Sequence, residues 1–568
     1  MSLKYLIASC CLLLSCQTVW SQQSFTFCNP LDLNYRFAYD DASYREAADP
    51  VIHLFKGKYY LYASKSGGYW TSDNMVQWKY LRCTTLPVED YAPAVETIRD
   101  TVFFIASGGN PKLYYNTDPQ KDNWKIYNAH FPISMTDPAI FRDDDGRIYF
   151  YYGCSATNPI MGVELDPDRR LDTIGTPQVL IDHRFREHGW EEPGESNNNG
   201  KAGWNEGSWM NKYQGKYYLQ YAAPGTEFNG YGDGVYIADR PLGPFTYMDN
   251  SPFSYKPRGF INGAGHGCTF QDKYGNYWHV TTMTISVRHM FERRLGLFPA
   301  CFDKQGQLHC LTAFGDYPMK MPDRKIDIKA SSLFTGWMLL SYHKNVAVSS
   351  ALPGHDPALA ADEEVRTWWS AASGRSGEWL QMDLAKECTV NALQVNFADQ
   401  DSRLQATSTI KPYRYKIEAS SDSLHWKLLV NKARNDADVT HHYIMLPKPT
   451  LARYIRVTCL QVPDGCFSLS DLRVFGKHAG HLPNAVTQVS VSRDKADNRR
   501  ATVSWNADEN ATGYVVYYGT TPESLYTSVM VYGDHQLRLT GLNKDIPYYF
   551  RVDAFNESGV SKGKEMNN

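Results

Sequence analysis

The sequence predicts an all-β protein in which a five-bladed β-propeller is followed by two β-sandwiches. Three observations predict this fold class. A strand motif recurs five times within roughly the first 320 residues, aromatic residues reach 14%, and the spacing of strands and loops changes after Lys344. Tyr is prominent, with 39 copies beside 25 Phe and 14 Trp. Aromatic residues in such excess suit strands, and they also suit ligands with flat apolar faces.

The strand motif begins with Gly or Asp and continues with apolar and aromatic residues. Its copies start 43, 46, 69 and 60 residues apart and occupy 57–64, 100–107, 146–153, 215–222 and 275–282. Each copy follows a second short strand across a tight turn, and these partner strands are Pro50–Phe55, Pro93–Ile98, Pro138–Arg142, Gly207–Lys212 and Gly267–Gln271. One hairpin per repeat at this spacing predicts propeller blades over residues 25–322.

The residues that head the five hairpins carry the chemistry. In blade order they are Asp49, Ala92, Asp137, Glu206 and His266. Because the innermost strand of each propeller blade lines the central channel, equivalent positions in different blades converge near the axis. Three carboxylates and a histidine are therefore expected to meet at one end of the channel.

Carboxylates forced together shift one another's pKa. Glycoside hydrolysis uses such an arrangement, with one carboxyl kept protonated as general acid and one ionised as base or nucleophile. Taken singly, Asp-Pro and Glu-Gly are common at turns and strand starts. Three acids at the same place in the repeat favour a catalytic site.

The motifs around these residues resemble glycoside hydrolase family 43, a family of five-bladed propellers. The matching segments are Ala48–Val51, Tyr91–Glu96, Thr136–Ile140, Asn205–Ser208 and Gly265–Gly267. The resemblance implies an inverting mechanism, in which Asp49 is the general base, Glu206 is the general acid and Asp137 supports that acid. It implies no required cofactor, with His266 contacting a central water or, alternatively, a structural calcium ion through water.

The second blade departs from the family pattern. Relatives often have Trp and an acid where this chain has Tyr91 and Ala94, so the subfamily specificity is left open. The candidates for substrate binding are Tyr69, Trp70, Tyr91, Trp204, Trp209, His266 and Arg288, with a salt-bridge role as the alternative for Arg288. An acidic segment before Glu206 supplies Glu191, Glu192 and Glu195, either as rival acids and hydroxyl ligands or as a solvated insertion.

Residues 330–477 predict a β-sandwich with long loops. The segments Thr367–Ser370, Glu378–Leu384, Tyr415–Asp422, Ala452–Val457 and Leu469–Gly476 resemble the discoidin domain of the coagulation factor V/VIII C type. A ligand site is expected in the loops around His355, Asp356 and Trp368; alternatively, the domain only braces the propeller.

Residues 483–565 predict a smaller sandwich. Its Trp505 in the second strand, and a Leu-x-x-Leu turn before a Tyr-rich strand, resemble the fibronectin type III domain. We interpret this unit as a spacer, because no catalytic grouping occurs in it.

Residues 1–21 predict a secretory signal peptide. Lys4 precedes an apolar run too short to cross a bilayer, and cleavage is expected before Gln22. A bacterial lipobox ending at Cys16 is the alternative, and it would give a lipid anchor. We therefore expect an exported bacterial protein, periplasmic, on the cell surface or extracellular, with no membrane span.

Charge and cysteine content exclude other classes. The 58 Lys and Arg against 61 Asp and Glu leave a formal net charge of −3, which gives no electrostatic footprint for nucleic acid. The 12 cysteines show no C-x-x-C spacing, which argues against a zinc site and a dense disulfide framework. Cys459 and Cys466 either bridge one loop or remain free.

The sequence therefore predicts a secreted, exo-acting, inverting glycosidase. Its expected products are arabinofuranose, xylose or a galactose-type sugar, released from a polysaccharide or its oligosaccharides. The alternatives are a non-catalytic sugar-binding propeller and a fructan-type propeller enzyme. The latter would place a nucleophile about 5–5.5 Å from the acid, whereas inversion needs about 6.5–9.5 Å.

Overall fold

A computed structural model describes residues 25–39, 44–88 and 91–565. Within these ranges the chain is built almost entirely of strands, and the two helical elements are short 3-10 turns at Gly189–Glu191 and Pro357–Ala360. No helix of the described ranges is long and apolar enough to cross a membrane. The predicted signal peptide and Cys16 lie outside the described residues.

Five four-stranded antiparallel sheets follow one another along the first half of the chain. Blade 1 consists of Val51–Phe55, Lys58–Tyr62, Gly68–Ser72 and Lys79–Arg82, and blade 2 of Ala94–Ile98, Thr101–Ile105, Leu113–Asn116 and Lys125–Asn128. Blade 3 consists of Ala139–Arg142, Ile148–Tyr152, Ile160–Asp166 and Asp172–Ile181. Blade 4 consists of Glu206–Tyr213, Lys216–Ala223, Gly232–Ala238 and Thr246–Tyr247, and blade 5 of Asn262–Gln271, Tyr277–Thr284, Arg293–Phe302 and Leu308–Cys310.

The first strands of these sheets form a ring. Each contacts the first strand of the next blade, and Asn262–Gln271 of blade 5 returns to contact Val51–Phe55 of blade 1. In every blade the first two strands pair as the hairpin that the sequence predicts. The predicted all-β propeller is therefore confirmed, and the ring fits five blades.

The head of the first strand has a left-handed backbone in every blade. The φ angles are 52° at Asp49, 51° at Ala92, 51° at Asp137, 64° at Gly207 and 46° at His266. Such angles cost free energy outside glycine and often mark functional positions. In blade 4 the left-handed residue is Gly207. Glu206 therefore lies one residue before the left-handed position, whereas Asp49 and Asp137 occupy that position in their blades.

Hydroxyl groups hold three of these heads against the preceding blade. The backbone N–H of Asp49 donates to the Thr282 hydroxyl at 2.8 Å, and that of Asp137 donates to the Ser107 hydroxyl at 2.9 Å. Ala92 donates to the Ser64 hydroxyl in the same way. Neighbouring blades thus fix the backbone that carries the acids.

Residues after the propeller form an eight-stranded sheet system and a two-sheet sandwich. The first contains Met338–Leu339, Asn345–Val348, Trp369–Ser370, Trp379–Phe397, Arg414–Ser420, Lys427–Asn431, His441–Gln461 and Ser468–Lys477. The second pairs Val489–Arg493, Ala501–Trp505 and Gln536–Leu539 in one sheet, and Gly513–Gly519, Thr527–Tyr532, Tyr549–Asn556 and Gly559–Ser561 in the other. Two short ribbons complete the chain, Thr26–Phe27 with Met319–Lys320 and Arg36–Phe37 with Arg45–Glu46.

The three units share a buried apolar junction. Phe314 and Tyr317 follow the propeller, Phe475 belongs to the first sandwich, and Phe555 belongs to the second; all four lie in one cluster. The second sandwich also holds the segment before blade 4, where Arg499 pairs with Glu192 at 2.9 Å. Our interpretation of this unit as a spacer is therefore wrong, because it packs against both other units.

The described cysteines are all free thiols, including Cys459 and Cys466. The alternative of a disulfide between these two is excluded in this structure, and both side chains are buried as small apolar groups.

Candidate active site

A cavity of about 550 Å³ opens at the heads of the first strands. Asp49, Asp137, Glu206 and His266 all line it, so the structure brings together the four groups that the repeat analysis singled out. The acids come from blades 1, 3 and 4 and the histidine from blade 5. Convergence at the ring axis, rather than closeness in sequence, assembles the site.

Asp49 is buried and held in its ionised form. The Ser64 hydroxyl donates to its Oδ2 at 2.5 Å, and Nη1 of Arg293 lies 3.5 Å from its Oδ1. Burial by itself would raise the pKa of Asp49, but the charges of Arg293 and His266 and the Ser64 hydrogen bond hold that pKa below its usual range. A buried carboxylate that stays ionised can accept a proton from water.

Asp137 is also buried, but its environment has the opposite effect. Burial raises the pKa of Asp137 to about 7, with the negative charges of Glu206 and Asp49 adding to the effect of burial against the attraction of His266. One carboxylate oxygen of Asp137, one of Glu206 and the Cys154 sulfur all lie within 4.8 Å of one another. Two carboxyls this close cannot both ionise without cost, and Asp137 is the one whose pKa is raised, so it keeps a proton up to about neutral pH.

Glu206 is oriented by two donors. The Tyr231 hydroxyl donates to its Oε1 at 2.5 Å, and the Cys154 thiol donates to its Oε2 at 3.0 Å. Burial and the nearby charges of Glu206 and Asp137 raise the pKa of Cys154, so the sulfur stays a thiol. The backbone N–H of Gly207 lies 3.3 Å from Oδ2 of Asp137, which ties the two acids together through the chain.

His266 stands between the acids. Its Nδ1 lies 3.2 Å from Oδ1 of Asp49 and 3.6 Å from Oδ2 of Asp137. Burial works to lower the pKa of His266, but the carboxylates of Asp49, Asp137 and Glu206 outweigh this effect and raise it. The neighbouring carboxylates therefore favour the protonated form of the imidazole, which lies between two of the acids.

Two of the predicted aromatic contacts line the cavity. Tyr91 lies beside Phe291, with ring centroids 5.1 Å apart, and Trp204 is 47% exposed at the cavity wall. A sugar ring presents an apolar C–H face that either side chain can contact.

Four other predicted substrate contacts are elsewhere, and those predictions are wrong. Tyr69 and Trp70 are 2% and 0% exposed and pack in the core of the propeller. The indole of Trp209 donates to the Thr269 carbonyl of blade 5 at 2.9 Å. The Arg288 guanidinium donates to the Ala398 carbonyl of the first sandwich and to Glu292, and it does not line the cavity. The physical reason is common to the three aromatics, since strand aromatics fill the space within and between blades.

The acidic segment before Glu206 is structural. Glu191 is 1% exposed and accepts hydrogen bonds from His188, from Tyr221 and from the backbone of Arg184. Glu192 pairs with Arg499 of the second sandwich, and Glu195 accepts from the backbone of Asn229. None of the three lines the cavity, so they are not rival acids.

The predicted ligand loops of the first sandwich face the propeller instead. The rings of His355 and Trp368 stack with centroids 5.1 Å apart, and the Arg288 guanidinium of the propeller lies 4.9 Å above the Trp368 ring. Asp356 caps the 3-10 turn at Pro357–Ala360 through the backbone N–H of Ala358. These contacts favour the bracing role over a sugar site at this position.

Three residues at the site were not predicted from the sequence. Arg293 pairs with Asp49, Tyr231 bonds Glu206, and Glu227 is a half-buried carboxyl in the cavity wall. Burial, and then the charges of Glu206 and Glu195, raise the pKa of Glu227. Arg293 lies next to Arg294 in the same strand, and only strand alternation distinguishes which of the two faces the site.

The donors around His266 do not suit calcium. This ion takes six to eight oxygen ligands, whereas the two carboxylates beside His266 both approach its imidazole. Within the described part of the chain, one group of three side chains has metal-binding spacing, and it is the Asp137, Cys154 and Glu206 set with its thiol. No catalytic step is therefore derived through a metal.

Three family models match the chain in order. Residues 44–307 match "Glycosyl hydrolases family 43", residues 345–471 match "F5/8 type C domain", and residues 484–566 match "Fibronectin type III domain". These matches agree with the three resemblances found in the sequence.

The two curated relatives described here each align with only part of this chain. A xylosidase/arabinosidase of Bacteroides ovatus is 26% identical, covering 35% of this chain and 76% of that protein. A beta-xylosidase of Xylanibacter ruminicola is 30% identical, covering 20% of this chain and 39% of that protein. A solved thermostable family-43 glycoside hydrolase is 23% identical, covering 54% of this chain and 99% of that chain with a TM-score of 0.42.

Proposed function

This chain is a glycoside hydrolase whose residues 44–307 belong to family 43, and we propose that it is an inverting exo-glycosidase that releases single sugars from the ends of plant-type or algal-type polysaccharide chains. The observation that carries the proposal is the meeting of three acids in one cavity. Asp49, Asp137 and Glu206 come from three blades and reach that cavity with unlike environments. Binding alone needs no such separation of acids, so a non-catalytic sugar-binding propeller is the weaker alternative.

Asp49 is the proposed general base. Arg293, His266 and Ser64 keep its carboxylate ionised, so it is ready to take a proton from the water that attacks the anomeric carbon. The same groups hold it by hydrogen bonds and charge, which reduces its nucleophilicity. We therefore favour inversion over a covalent intermediate, and with it over the fructan-type alternative.

Glu206 is the proposed general acid. Asp137 lies beside it, and burial together with the charges of Glu206 and Asp49 raises the pKa of Asp137 to about 7, so Asp137 keeps a proton close to Glu206 up to about neutral pH. Tyr231 and Cys154 fix the orientation of its carboxyl group, so the proton can be delivered along one direction to the glycosidic oxygen. As the oxygen leaves, the negative charge of the pair is balanced by His266.

Trp204 and Glu227 are proposed to contact the leaving group. Trp204 lies two residues before Glu206 and exposes its indole in the cavity wall, and Glu227 shares that wall. Because the acid must face the leaving group, the surfaces closest to Glu206 belong to the sugar on that side of the bond. An indole face and a carboxylate suit the C–H face and the hydroxyls of a sugar unit.

Exo action is supported by the loop between the second and third strands of blade 5. Met290 and Phe291 of this loop line the cavity, and Arg288 ties the loop to the Ala398 carbonyl of the first sandwich. A tethered loop on one side favours a pocket for a chain end over an open cleft.

The sugar is proposed to be arabinofuranose or xylose, with a galactose-type sugar as the second candidate. The two relatives described above carry xylosidase and arabinosidase names, and a relative from Aspergillus niger carries the name beta-D-galactofuranosidase. Export is proposed from the apolar run that precedes Gln22.

The proposal is tested with a panel of aryl α-L-arabinofuranosides, β-D-xylosides and β-D-galactofuranosides, together with arabinoxylan and pectic oligosaccharides. NMR follows the anomer that forms first. We expect turnover of at least one class, single sugars as products and inversion at the anomeric carbon. Retention would disprove Asp49 as base, and binding without any turnover would favour the sugar-binding alternative.

A further inference from the structure

We propose that the F5/8 type C domain contributes to catalysis by fixing the position of Arg293 beside Asp49. The domain contacts Arg45 and Arg294, and the residues next to these two, Glu46 and Arg293, form the ion pair that faces Asp49. This inference rests on the proposed function, since it takes Asp49 to be the general base. It is carried by two pairs of consecutive residues that each link the domain to the cavity.

The first pair is Arg45 and Glu46, in a two-residue strand. Side chains of consecutive strand residues point to opposite sides. Arg45 is buried and reaches the F5/8 type C domain, where Nε lies 2.8 Å from Oδ2 of Asp399 and Nη1 lies 2.7 Å from Oδ2 of Asp438. Nη2 donates to the second oxygen of each carboxylate. Glu46 points to the other side of the strand, where its Oε1 lies 2.8 Å from Nη2 of Arg293.

The second pair is Arg293 and Arg294, at the start of the third strand of blade 5. Arg293 is 3% exposed and directs Nη1 to Oδ1 of Asp49 at 3.5 Å. Arg294 turns the other way, and its Nε donates to Nε2 of His441 in the F5/8 type C domain at 2.9 Å. The Nδ1 atom of His441 lies 2.8 Å from Oδ1 of Asn396, so Nδ1 carries the proton and Nε2 is free to accept.

The two pairs are also joined to each other. Nη1 of Arg294 donates to the Arg45 carbonyl at 2.7 Å, and the Ala47 N–H donates to the Arg293 carbonyl at 3.4 Å. The F5/8 type C domain therefore contacts Arg45 and Arg294 on one side of the two strand ends. On the opposite side, Arg293 lies beside Asp49. A buried guanidinium between two carboxylates has few alternative positions, because leaving either carboxylate unpaired is costly.

Fixing Arg293 controls the ionisation of Asp49. Asp49 faces several charged or titratable groups, of which Arg293 and then His266 favour its carboxylate by charge. The others are Glu46, Asp137, Glu206 and Tyr231, with the Ser64 hydroxyl as a donor. If Arg293 moves away, the pKa of Asp49 rises, and the base becomes protonated at a higher pH.

The test uses the full-length chain with Asp438→Asn and, separately, Arg45→Lys. Asp438→Asn keeps an acceptor oxygen and removes one charge, so it is the milder change. We expect the acid limb of the kcat/KM against pH profile to move up by about half a pH unit or more in both variants. Below the limb, kcat/KM should fall several-fold, whereas near the optimum it should fall less.

The matched control is Tyr443→Phe. It breaks another hydrogen bond between the propeller part of the chain and the F5/8 type C domain, in which the Tyr443 and Thr26 hydroxyl oxygens lie 2.8 Å apart, and it leaves Arg45 and Arg294 unchanged. We expect an unchanged pH profile in this variant. The inference is wrong if Asp438→Asn and Arg45→Lys lower the Tm but have the same kcat/KM against pH profile as the wild type, because the domain then only braces the propeller.

Asp49→Asn is assayed in parallel to separate this inference from the proposed function. Retained activity in Asp49→Asn would show that Asp49 is not the base, and the proposed mechanism would fail first. Loss of activity in Asp49→Asn, combined with an unshifted profile in Asp438→Asn, would overturn the inference alone.

Discussion

The Tyr231 hydroxyl donates a 2.5 Å hydrogen bond to Oε1 of Glu206, and Tyr231 itself is fully buried. A phenol at this distance fixes one oxygen of the carboxyl and leaves the other toward Cys154 and the cavity. The acid is thus positioned by the residue that directly precedes the third strand of its own blade.

Tyr231→Phe should therefore lower kcat without a matching rise in KM. A hydrogen bond to a carboxylate contributes about 1.5–3 kcal/mol, which corresponds to a loss of roughly ten- to a hundredfold if it acts in the transition state. Steady-state kinetics on an aryl glycoside measure the loss. An unchanged kcat would mean that Tyr231 only fills space.

Glu206→Gln and Asp49→Asn should respond differently to the leaving group. Both should lose at least about a hundredfold on natural oligosaccharides, as general acid and base roles imply. On an aryl glycoside whose phenol is strongly acidic, Glu206→Gln should recover much of its rate, because that leaving group needs no proton. Asp49→Asn should not recover. Equal losses on both substrates in the Glu206 variant would contradict its role.

Asp137→Asn should narrow the pH profile on its alkaline side. Burial and the charges of Glu206 and Asp49 raise the pKa of Asp137 to about 7, so Asp137 keeps a proton beside Glu206 up to about that pH. Asp137→Asn removes the group that holds this proton. The basic limb of kcat/KM should therefore move to lower pH, and a basic limb that stays in place would show that Asp137 does not supply a proton.

Glu227→Gln should weaken only the binding of the sugar unit on the leaving-group side of the glycosidic bond. We expect KM on oligosaccharides to rise by about tenfold, since a charged hydrogen bond to a sugar hydroxyl is weakened, while KM on a phenyl glycoside stays near the wild-type value. Glu195→Gln is the matched control, because Glu195 lies outside the cavity and caps a backbone N–H. A similar rise on both substrates would place Glu227 elsewhere in the site.

Gly207→Ala should damage both stability and activity. Gly207 has φ +64°, and a Cβ atom there would lie 2.8 Å from Cγ of His266. A left-handed alanine costs about 1 kcal/mol before any clash, and His266 must then move away from Asp49 and Asp137. We expect a lower Tm and at least a tenfold loss of kcat. Wild-type values for both would show that the imidazole can move without consequence.

The sequence was sufficient for the features that repeat. Asp49 and Asp137 occupy the same place in successive hairpins, and the periodicity of the chain is enough to bring them together. The repeat also identified Glu206, but it did not show that Glu206 precedes the left-handed residue of its blade, Gly207, instead of occupying that position.

Aromatic composition predicted the substrate contacts poorly. Tyr69 and Trp70 looked like Tyr91 in the sequence, yet only the strand position decides which side chain faces the cavity. Arg293 and Glu227 had no motif of their own, because their roles depend on charges brought close by folding. The contribution of the F5/8 type C domain depends on contacts about 100 to 400 residues apart in sequence, such as Arg45 with Asp399.

The apolar junction of Phe314, Phe475 and Phe555 has a consequence for how the chain unfolds. Removing either sandwich would expose to water the aromatic side chains of the remaining units that pack against it, so a shortened chain should aggregate. Heating should give a single calorimetric transition instead of three, because loss of one unit strips the others of shared packing. The three units would then unfold together, as one cooperative body and not as independent modules.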